Sequence, residues 1–158
     1  MQAGDITERL LALLREGGAE FEVMTHEPVR TSEEAARVRG TPLEQGAKAL
    51  VCRADDRTVL LVVPAHRRVG SKAFKRAFGV KNLQMISADD LRAQFGLEVG
   101  AVPPFGSLLG LQTYLDEGLL PRPRIAFNAG SRNTSVVLAT QDYTRLEAPI
   151  LGRFAAEG

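Results

Sequence analysis

The chain has 158 residues, of which 44% are hydrophobic, and we expect one domain, residues 1–158, with a hydrophobic core. Its 20 Lys and Arg residues face 19 Asp and Glu residues, so a net charge of +1 excludes a uniformly basic nucleic-acid binder but permits a local basic face. One cysteine excludes an internal disulfide, and with two histidines it leaves too few soft ligands for a typical structural zinc site.

The N-terminal half predicts two helices and two paired strands. A first helix with an apolar stripe starts at Asp5 and ends at Gly17, and the N-terminus lacks the basic start and apolar core of a secretion signal. FEVM predicts a strand, and a capping box at Thr31 predicts a second helix that ends at Gly40. AKALVCRA and TVLLVVPA predict a hairpin, and its apolar run is too short to span a bilayer. We therefore expect a soluble cytoplasmic protein without a membrane or DNA partner.

The second half predicts short helices beginning at Ser71 and Ser87, a loop VGAVPPFGS, and the strands RIAFNAG and TSVVLAT. Helices and strands interleave too irregularly for repeated βαβ units, and no glycine-rich phosphate loop follows a strand. We therefore predict an α+β (mixed α/β) fold, in which short helices surround a curved mixed sheet or partial barrel.

Lys48 lies at the start of the first hairpin strand, in the segment QGAKALVCRA. Alternation along the strand puts it on the same face as Leu50 and Cys52, and the opposite face is also apolar. An ammonium group is costly in such surroundings unless it reaches water or an anion. Two interpretations follow: the side chain extends to solvent, or it points into the mouth of a ligand cavity.

The segment HRRVGSKAFKRAFGVK, residues 66–81, contains six Lys and Arg residues, one His and no acid. On its helix the cations share one face, while Phe74, Ala77 and Phe78 are predicted to turn inward. A solvated helix face would also explain such a run, but the lack of acids favours contact with phosphates. The candidate phosphate-binding residues are Arg67, Arg68, Lys72, Lys75 and Arg76.

Two glycine-rich segments are candidates for ligand binding. In GAVPPFG the prolines stiffen the loop, and Gly100 and Gly106 let backbone N–H groups approach a carbonyl or oxyanion. A rigid connection or an ordinary turn would explain either segment as well. The second segment, FNAGSRNTS, offers hydrogen-bonding and cationic groups at Asn128, Gly130, Ser131 and Arg132.

The chain has few candidates for nucleophilic or acid–base catalysis. His26 could be an acid or base, but a lone histidine before a proline is more often structural, and capping already explains Thr31. Cys52 lies in an apolar strand without a histidine near it in sequence, which favours core packing. Ser107 and Ser131 lack a nucleophile elbow. If the protein is an enzyme, we expect it to act by positioning and electrostatics.

Five motifs in order, HEPVRTSEEAA, GAKALV, the basic helix, GAVPPFG and FNAGS, resemble the YbaK family of aminoacyl-tRNA editing domains. That family includes free-standing deacylases and the editing insertion of bacterial prolyl-tRNA synthetase, and the similarity covers about residues 20–139. The resemblance implies hydrolysis, in trans and without a metal or other cofactor, of the ester that joins a wrong amino acid to the 3′ end of tRNA.

The resemblance also implies roles for individual residues. Lys48 matches the family lysine that engages the terminal adenosine, and residues 100–104 match the loop that holds the aminoacyl carbonyl. Water then attacks with help from the terminal ribose hydroxyl, and Phe105 is expected to shape a pocket for a small apolar or hydroxylated side chain. The expected substrate-binding residues are His26, Thr31, Gly100, Pro104, Phe105, Gly106, Asn128, Gly130 and Ser131.

The amino acid that is removed and the partners stay open at this point. Met24 and Asn128 replace the tyrosine and serine of the cysteine-clearing branch, and FNAGSRNTS lacks the histidine of alanine-specific members. The expected partners are tRNA and, as an option, an aminoacyl-tRNA synthetase. Two alternative functions remain: a non-catalytic module that binds tRNA or a nucleotide, and a deacylase of small aminoacyl esters whose basic helix is only surface.

Overall fold

Helix boundaries follow the capping residues that the sequence predicts. The computed structural model describes residues 3–157 and contains five α-helices in that range. Thr31 accepts a hydrogen bond from the Glu34 N–H at 3.1 Å, and Gly40 ends the same helix with a left-handed φ of 70°. The helices are α1 (Ala3–Glu16), α2 (Ser32–Arg39), α3 (Ser71–Phe78), α4 (Ala88–Phe95) and α5 (Thr140–Glu147).

The first and last helices differ from the expectation. α1 begins at Ala3 rather than at Asp5, whose side chain lies outside the described part of the structure. No local signal predicts α5, because the residue before it, Ala139, makes no side-chain capping bond. Within residues 3–157, no helix is long and apolar enough to cross a membrane.

The strands within the described residues are β1 (Phe21–Thr25), β2 (Ala47–Ala54), β3 (Arg57–Pro64), β4 (Arg67–Val69), β5 (Leu83–Met85), β6 (Gln112–Asp116), β7 (Arg124–Asn128), β8 (Thr134–Ala139), β9 (Ile150–Gly152) and β10 (Ala155–Glu157). A five-stranded mixed sheet has the order β5-β2-β3-β6-β9, a three-stranded antiparallel sheet has the order β1-β8-β7, and β10 pairs with β4. The predicted mixed α/β fold is confirmed, and its sheets do not close into a barrel.

The five-stranded sheet carries a hydrophobic cluster on each face. Ala49 packs in the cluster that includes α1 and the three-stranded sheet, whereas Cys52 packs with Phe74 of α3 on the other face. Cys52 is 1% exposed and burial raises the pKa of its thiol to about 12, so the prediction of core packing is confirmed. Because side chains alternate along β2, Lys48 projects from the face that α3 covers.

The two larger sheets approach each other at Gly46, immediately before β2. Its backbone forms a parallel bridge with Ala126 of β7, and an added Cβ would lie 2.8 Å from the Cβ of Ala65. The absence of a side chain therefore permits this close approach. As a result, Asn128 at the end of β7 and Lys48 at the start of β2 line the same pocket.

Candidate active site

A pocket of about 210 Å³ opens beside the first half of β2. β5 pairs only with residues 52–54, so among the described strands none covers the β2 edge at residues 47–50. α2 and the loop that follows α4 supply the other walls. The lining residues are Val29, Arg30, Thr31, Ser32, Ala35, Arg39, Gly46, Ala47, Lys48, Ala49, Leu50, Ala65, Val99, Gly100, Val102, Asn128 and Arg132.

Positive charge dominates this pocket. Four of its lining residues are cations, and none of the lining residues is an Asp or a Glu. Cations held together without carboxylates repel one another and raise the local concentration of anions. The pocket therefore suits an anionic ligand such as a phosphodiester. The four cations are Arg30, Arg39, Lys48 and Arg132.

Lys48 is half-buried at the open edge of β2. Burial lowers the pKa of its ammonium group, and the carboxylate of exposed Glu33 opposes that shift. Within residues 3–157, no hydrogen bond or salt bridge occupies this ammonium group. Its three N–H donors are therefore available to a ligand in the pocket.

The loop after α4 has its carbonyl groups held by neighbouring residues. Arg132 donates to the Val99 carbonyl from Nε at 3.0 Å and from Nη2 at 2.5 Å. Asn128 Nδ2 donates to the Gly100 carbonyl at 2.6 Å, and the Gly130 N–H donates to the Ala101 carbonyl at 2.9 Å. Three consecutive peptide groups are thus fixed in orientation, even though two of them lie at the surface.

Two N–H groups of this loop are free. Gly100, whose φ of 88° is left-handed, and Val102 both line the pocket. In the described part of the chain, neither N–H has an acceptor, whereas the Ala101 N–H between them donates to the Glu98 carbonyl at 3.0 Å. Backbone donors that are fixed in advance can stabilise an oxyanion, which is the use predicted for this loop.

Arg39 is a pocket residue that the sequence reasoning missed. Its Nε donates to Ser135 Oγ at 2.9 Å and its Nη2 donates to Asn128 Oδ1 at 2.8 Å. Burial lowers the pKa of its guanidinium group to about 10. A basic residue in the last turn of a helix is ordinary for dipole reasons, so no local signal marked it.

The structure brings His26 and Thr31 to this site in different ways. Thr31 lines the pocket and also caps α2. His26 does not line it, but its Nε2 lies 2.7 Å from Ser135 Oγ, the same oxygen that Arg39 contacts. Nδ1 of His26 lies 2.8 Å from the Glu27 carbonyl, and since a carbonyl oxygen only accepts, Nδ1 is the donor in this contact.

Three residues of the proline-rich segment lie outside the pocket. Phe105 is fully buried, with its ring 5.1 Å from that of Tyr143, and this corrects the expectation that it shapes the amino-acid pocket. Pro104 is buried and its carbonyl accepts a hydrogen bond from the Tyr143 hydroxyl at 2.8 Å. The Gly106 N–H donates to Thr113 Oγ1 at 2.9 Å. All three therefore support the loop from within the core.

Gly130 and Ser131 line a neighbouring cavity of about 270 Å³ rather than the cationic pocket. The Ser131 hydroxyl donates to Asn133 Oδ1 at 2.6 Å. Gly130 still contributes to the loop through its bond to the Ala101 carbonyl. Arg132 lines both cavities, so the two lie side by side.

The basic segment divides into two parts. Arg68 Nε donates to the Glu157 carbonyl at 2.9 Å, and Arg67 lines a cavity together with Asp116 and Glu117. Ala77 is exposed, which corrects the expectation that it turns inward. On α3, the cations make no salt bridge within residues 3–157, and they lie on the sheet face from which Lys48 projects. They are Lys72, Lys75 and Arg76.

The pocket has the groups that an anionic, carbonyl-bearing ligand would need. Cations would hold the anion, and the free N–H groups of Gly100 and Val102 would hold the carbonyl oxygen. No group of three or more His, Cys, Asp or Glu side chains in the described chain is placed to hold a metal ion.

Similar proteins identify the family. The sequence pattern described as "Aminoacyl-tRNA editing domain" matches residues 26–146. The chain is 38% identical over 160 residues to "Multifunctional Ser/Thr-tRNA deacylase ProXp-y" of Escherichia coli K12, and this alignment covers 98% of this chain and 96% of that protein. It is 32% identical over 79 residues, 50% of this chain and 14% of the ligase, to a proline–tRNA ligase of Thermosipho africanus. A solved structure described as a candidate trans-editing enzyme for prolyl-tRNA synthetase has a TM-score of 0.82 and 25% identity, over 96% of this chain and 97% of that one.

The chain belongs to the family of aminoacyl-tRNA editing domains, as the order of its motifs predicts. It is therefore an editing deacylase, an enzyme that hydrolyses the ester bond of a mischarged aminoacyl-tRNA.

Proposed function

We propose that this chain hydrolyses, in trans, the ester of tRNA that carries serine or threonine wrongly, with the cationic pocket at the β2 edge as its active site. The observation that carries the proposal is a pocket with four cations and no carboxylate among its lining residues, in which Lys48 has no hydrogen bond or salt bridge within residues 3–157. The name of the Escherichia coli relative supports the choice of amino acid, because the two chains match over nearly their whole length.

In the proposed mechanism, Lys48 binds the terminal adenosine through its phosphate or ribose oxygens. The ester carbonyl oxygen accepts hydrogen bonds from the Gly100 and Val102 N–H groups, which stabilise the negative charge as water adds to the carbonyl carbon. The bond between that carbon and the ribose oxygen then breaks, and this oxygen takes up the proton that the attacking water releases and leaves as a hydroxyl group. The released products are the free amino acid and uncharged tRNA.

The proposed mechanism relies on the substrate for proton transfer. None of the lining residues of the pocket is a carboxylate or a histidine, so the chain offers no side chain with the usual pKa of a general base there. The free hydroxyl of the terminal ribose lies next to the ester in any aminoacyl-tRNA and can orient the attacking water. Electrostatic stabilisation by the chain and assistance by this hydroxyl together account for the reaction.

The polarity of the pocket lining supports a hydroxylated amino acid. Thr31 and Ser32, which carry hydroxyl groups, are among its lining residues, and so are Ala35 and Ala49, whose side chains are short and apolar. A side chain with both a hydroxyl and an apolar part, such as that of threonine, suits such surroundings.

A panel of mischarged tRNAs tests the proposed function. We expect purified protein to release serine or threonine from tRNA faster than alanine, cysteine or proline, as measured by loss of radiolabelled aminoacyl-tRNA. Tight tRNA binding without hydrolysis anywhere in the panel would instead support the non-catalytic binding module. Equal hydrolysis of charged tRNA and of small aminoacyl esters would support the small-ester deacylase.

We further propose that the α3 cations dock the tRNA. Changing Lys72, Lys75 and Arg76 to glutamine should lower kcat/KM for charged tRNA by about tenfold or more and reduce its logarithmic salt slope by about three. Hydrolysis of a small seryl ester should stay unchanged.

The matched control changes three exposed arginines elsewhere, Arg15, Arg57 and Arg122, to glutamine. This control removes the same net charge, so an equal loss of kcat/KM in both triple variants would contradict docking by α3. An unchanged salt slope in the α3 variant would contradict it as well.

We also propose that a synthetase can deliver the substrate. The support is the similarity to a segment of a proline–tRNA ligase. Co-sedimentation of the purified chain with purified prolyl-, seryl- and threonyl-tRNA synthetases, with and without tRNA, tests this. Sedimentation as separate species in every mixture would contradict it.

A further inference from the structure

Arg39 has no part in the proposed mechanism, although it lines the pocket. It is partly buried at the end of α2, and no carboxylate within residues 3–157 forms a salt bridge with it. An unpaired cation in such a place is costly, unless hydrogen bonds satisfy it. Its two described hydrogen bonds lead to β7 and β8, away from its own helix.

The contacts of Arg39 fix the orientation of one side-chain amide. Arg39 Nη2 donates to Asn128 Oδ1 at 2.8 Å, and Asn128 Nδ2 donates to the Gly100 carbonyl at 2.6 Å. A guanidinium group can only donate hydrogen bonds, so the atom of Asn128 that faces it must be the amide oxygen and not the amide nitrogen. The nitrogen of Asn128 is thereby directed at Gly100. Rotation of the amide by 180° would break both bonds.

The Gly100 carbonyl belongs to the peptide group that separates the two free N–H groups of the loop. Since a trans peptide is planar, its carbonyl and its N–H point in opposite directions. Arg132 holds the Val99 carbonyl and thus directs the Gly100 N–H, while Gly130 holds the Ala101 carbonyl and directs the Val102 N–H. Asn128 holds the Gly100 carbonyl of the peptide group between these two. The relative orientation of the Gly100 and Val102 N–H groups therefore depends on the bonds to all three carbonyls.

We infer that Arg39 is a positioning residue for the reaction: through Asn128 it holds the Gly100 carbonyl away from the substrate, so that the Gly100 and Val102 N–H groups face the ester oxygen together. This inference rests on the proposed function, because it assigns the two N–H groups to the ester carbonyl. Ser135 and His26 complete the arrangement, since Ser135 Oγ accepts from Arg39 Nε and lies 2.7 Å from His26 Nε2.

Kinetics of matched variants separate this role from direct phosphate binding by Arg39. Positioning of the N–H groups acts on the transition state, so R39M and R39K should lower kcat by about 10- to 100-fold with KM within about twofold. Lysine keeps the charge but cannot span both acceptors, so it should not rescue the rate. R37M, which removes an exposed arginine from the same helix, should match the wild type.

A second variant acts on the same contact without touching Arg39. In N128D a carboxylate cannot donate to the Gly100 carbonyl, so kcat should fall as in R39M. Because both changes break one chain of contacts, the double variant R39M/N128D should be no slower than the slower single variant. N128D also carries the test if R39M fails to fold.

The amide NMR signals of Gly100 and Val102 supply a readout that does not need activity. We expect both signals to move in R39M and N128D but not in R37M, even if no mischarged tRNA is hydrolysed by the wild type. Inactivity of the wild type would therefore refute the proposed function, while unmoved signals would refute the role of Arg39. Three kinetic results would also overturn the positioning role of Arg39. They are a wild-type kcat in R39M, a change in R39M that is confined to KM and the salt slope, and additive losses of kcat in the double variant.

Discussion

Replacing Lys48 by methionine is expected to lower the single-turnover rate of ester hydrolysis by about 100-fold or more, with the protein still folded. Lys48 is the cation at the open β2 edge whose ammonium group makes no hydrogen bond or salt bridge within residues 3–157. The K48M change removes one of the four positive charges of a pocket whose lining residues include no Asp or Glu. The melting temperature should not fall, because methionine also removes the desolvation cost that lowers the lysine pKa.

The pH dependence of binding supplies a control for the Lys48 assignment. Because burial lowers its pKa below the ordinary 10.5, its positive charge is lost at a lower pH than that of an exposed lysine. Binding of an uncleavable aminoacyl-tRNA analogue to the wild type should therefore weaken as the pH rises toward 10.5. K48R keeps its charge over that range and should show a smaller loss, because the remaining loss comes from Arg39, whose pKa is about 10. Full hydrolytic activity in K48M would refute the assignment.

Replacing Gly106 by alanine is expected to destabilise the fold by about 2–4 kcal/mol, measured by urea unfolding. An added Cβ would lie 2.5 Å from Thr113 Oγ1 and 2.6 Å from the Leu111 carbonyl oxygen. It would also disturb the bond from the Gly106 N–H to Thr113, whose hydroxyl donates to Glu147 Oε2 at 2.7 Å. The glycine is therefore required by packing.

Gly110 is the matched control for this substitution. It has a left-handed φ of 72°, and no atom lies within 4 Å of an added Cβ, so alanine there should cost about 1–2 kcal/mol from backbone strain alone. A larger loss at Gly110 than at Gly106 would contradict the packing argument. Normal stability of G106A combined with lost activity would indicate that Gly106 contacts substrate, as the sequence predicted.

Local signals in the sequence account for the elements that were predicted correctly. The cap at Thr31 and the left-handed Gly40 are defined by contacts within a few residues, and so are the hairpin of β2 and β3 and the helix α3. β6 and β9 were missed because their parallel partners are remote in sequence. Such pairing is decided by tertiary packing and leaves little trace in a short segment.

The candidate site could be predicted only in part, because some of its residues have a local signal in the sequence and others are brought together by the fold alone. Lys48 stood out as a charge in an apolar strand, and Gly100 and Asn128 as members of glycine-rich loops, and all three line the pocket. Arg39 reaches its acceptors on β7 and β8 across 89 and 96 residues of sequence, so only the fold reveals it. Phe105 was expected beside the ligand, but burial against Tyr143 and the core is its more favourable environment.

The central claim is that the 3′ end of charged tRNA binds in the cationic pocket with its ester carbonyl against the loop after α4. A crystal structure with a seryl-adenosine analogue, in which an amide replaces the ester, tests this most directly. We expect the carbonyl oxygen within hydrogen-bond distance of the Gly100 or Val102 N–H, and Lys48 Nζ within hydrogen-bond distance of an oxygen of the adenosine. Binding of the analogue in the neighbouring cavity of Ser131 and Glu98, with the cationic pocket free, would contradict it.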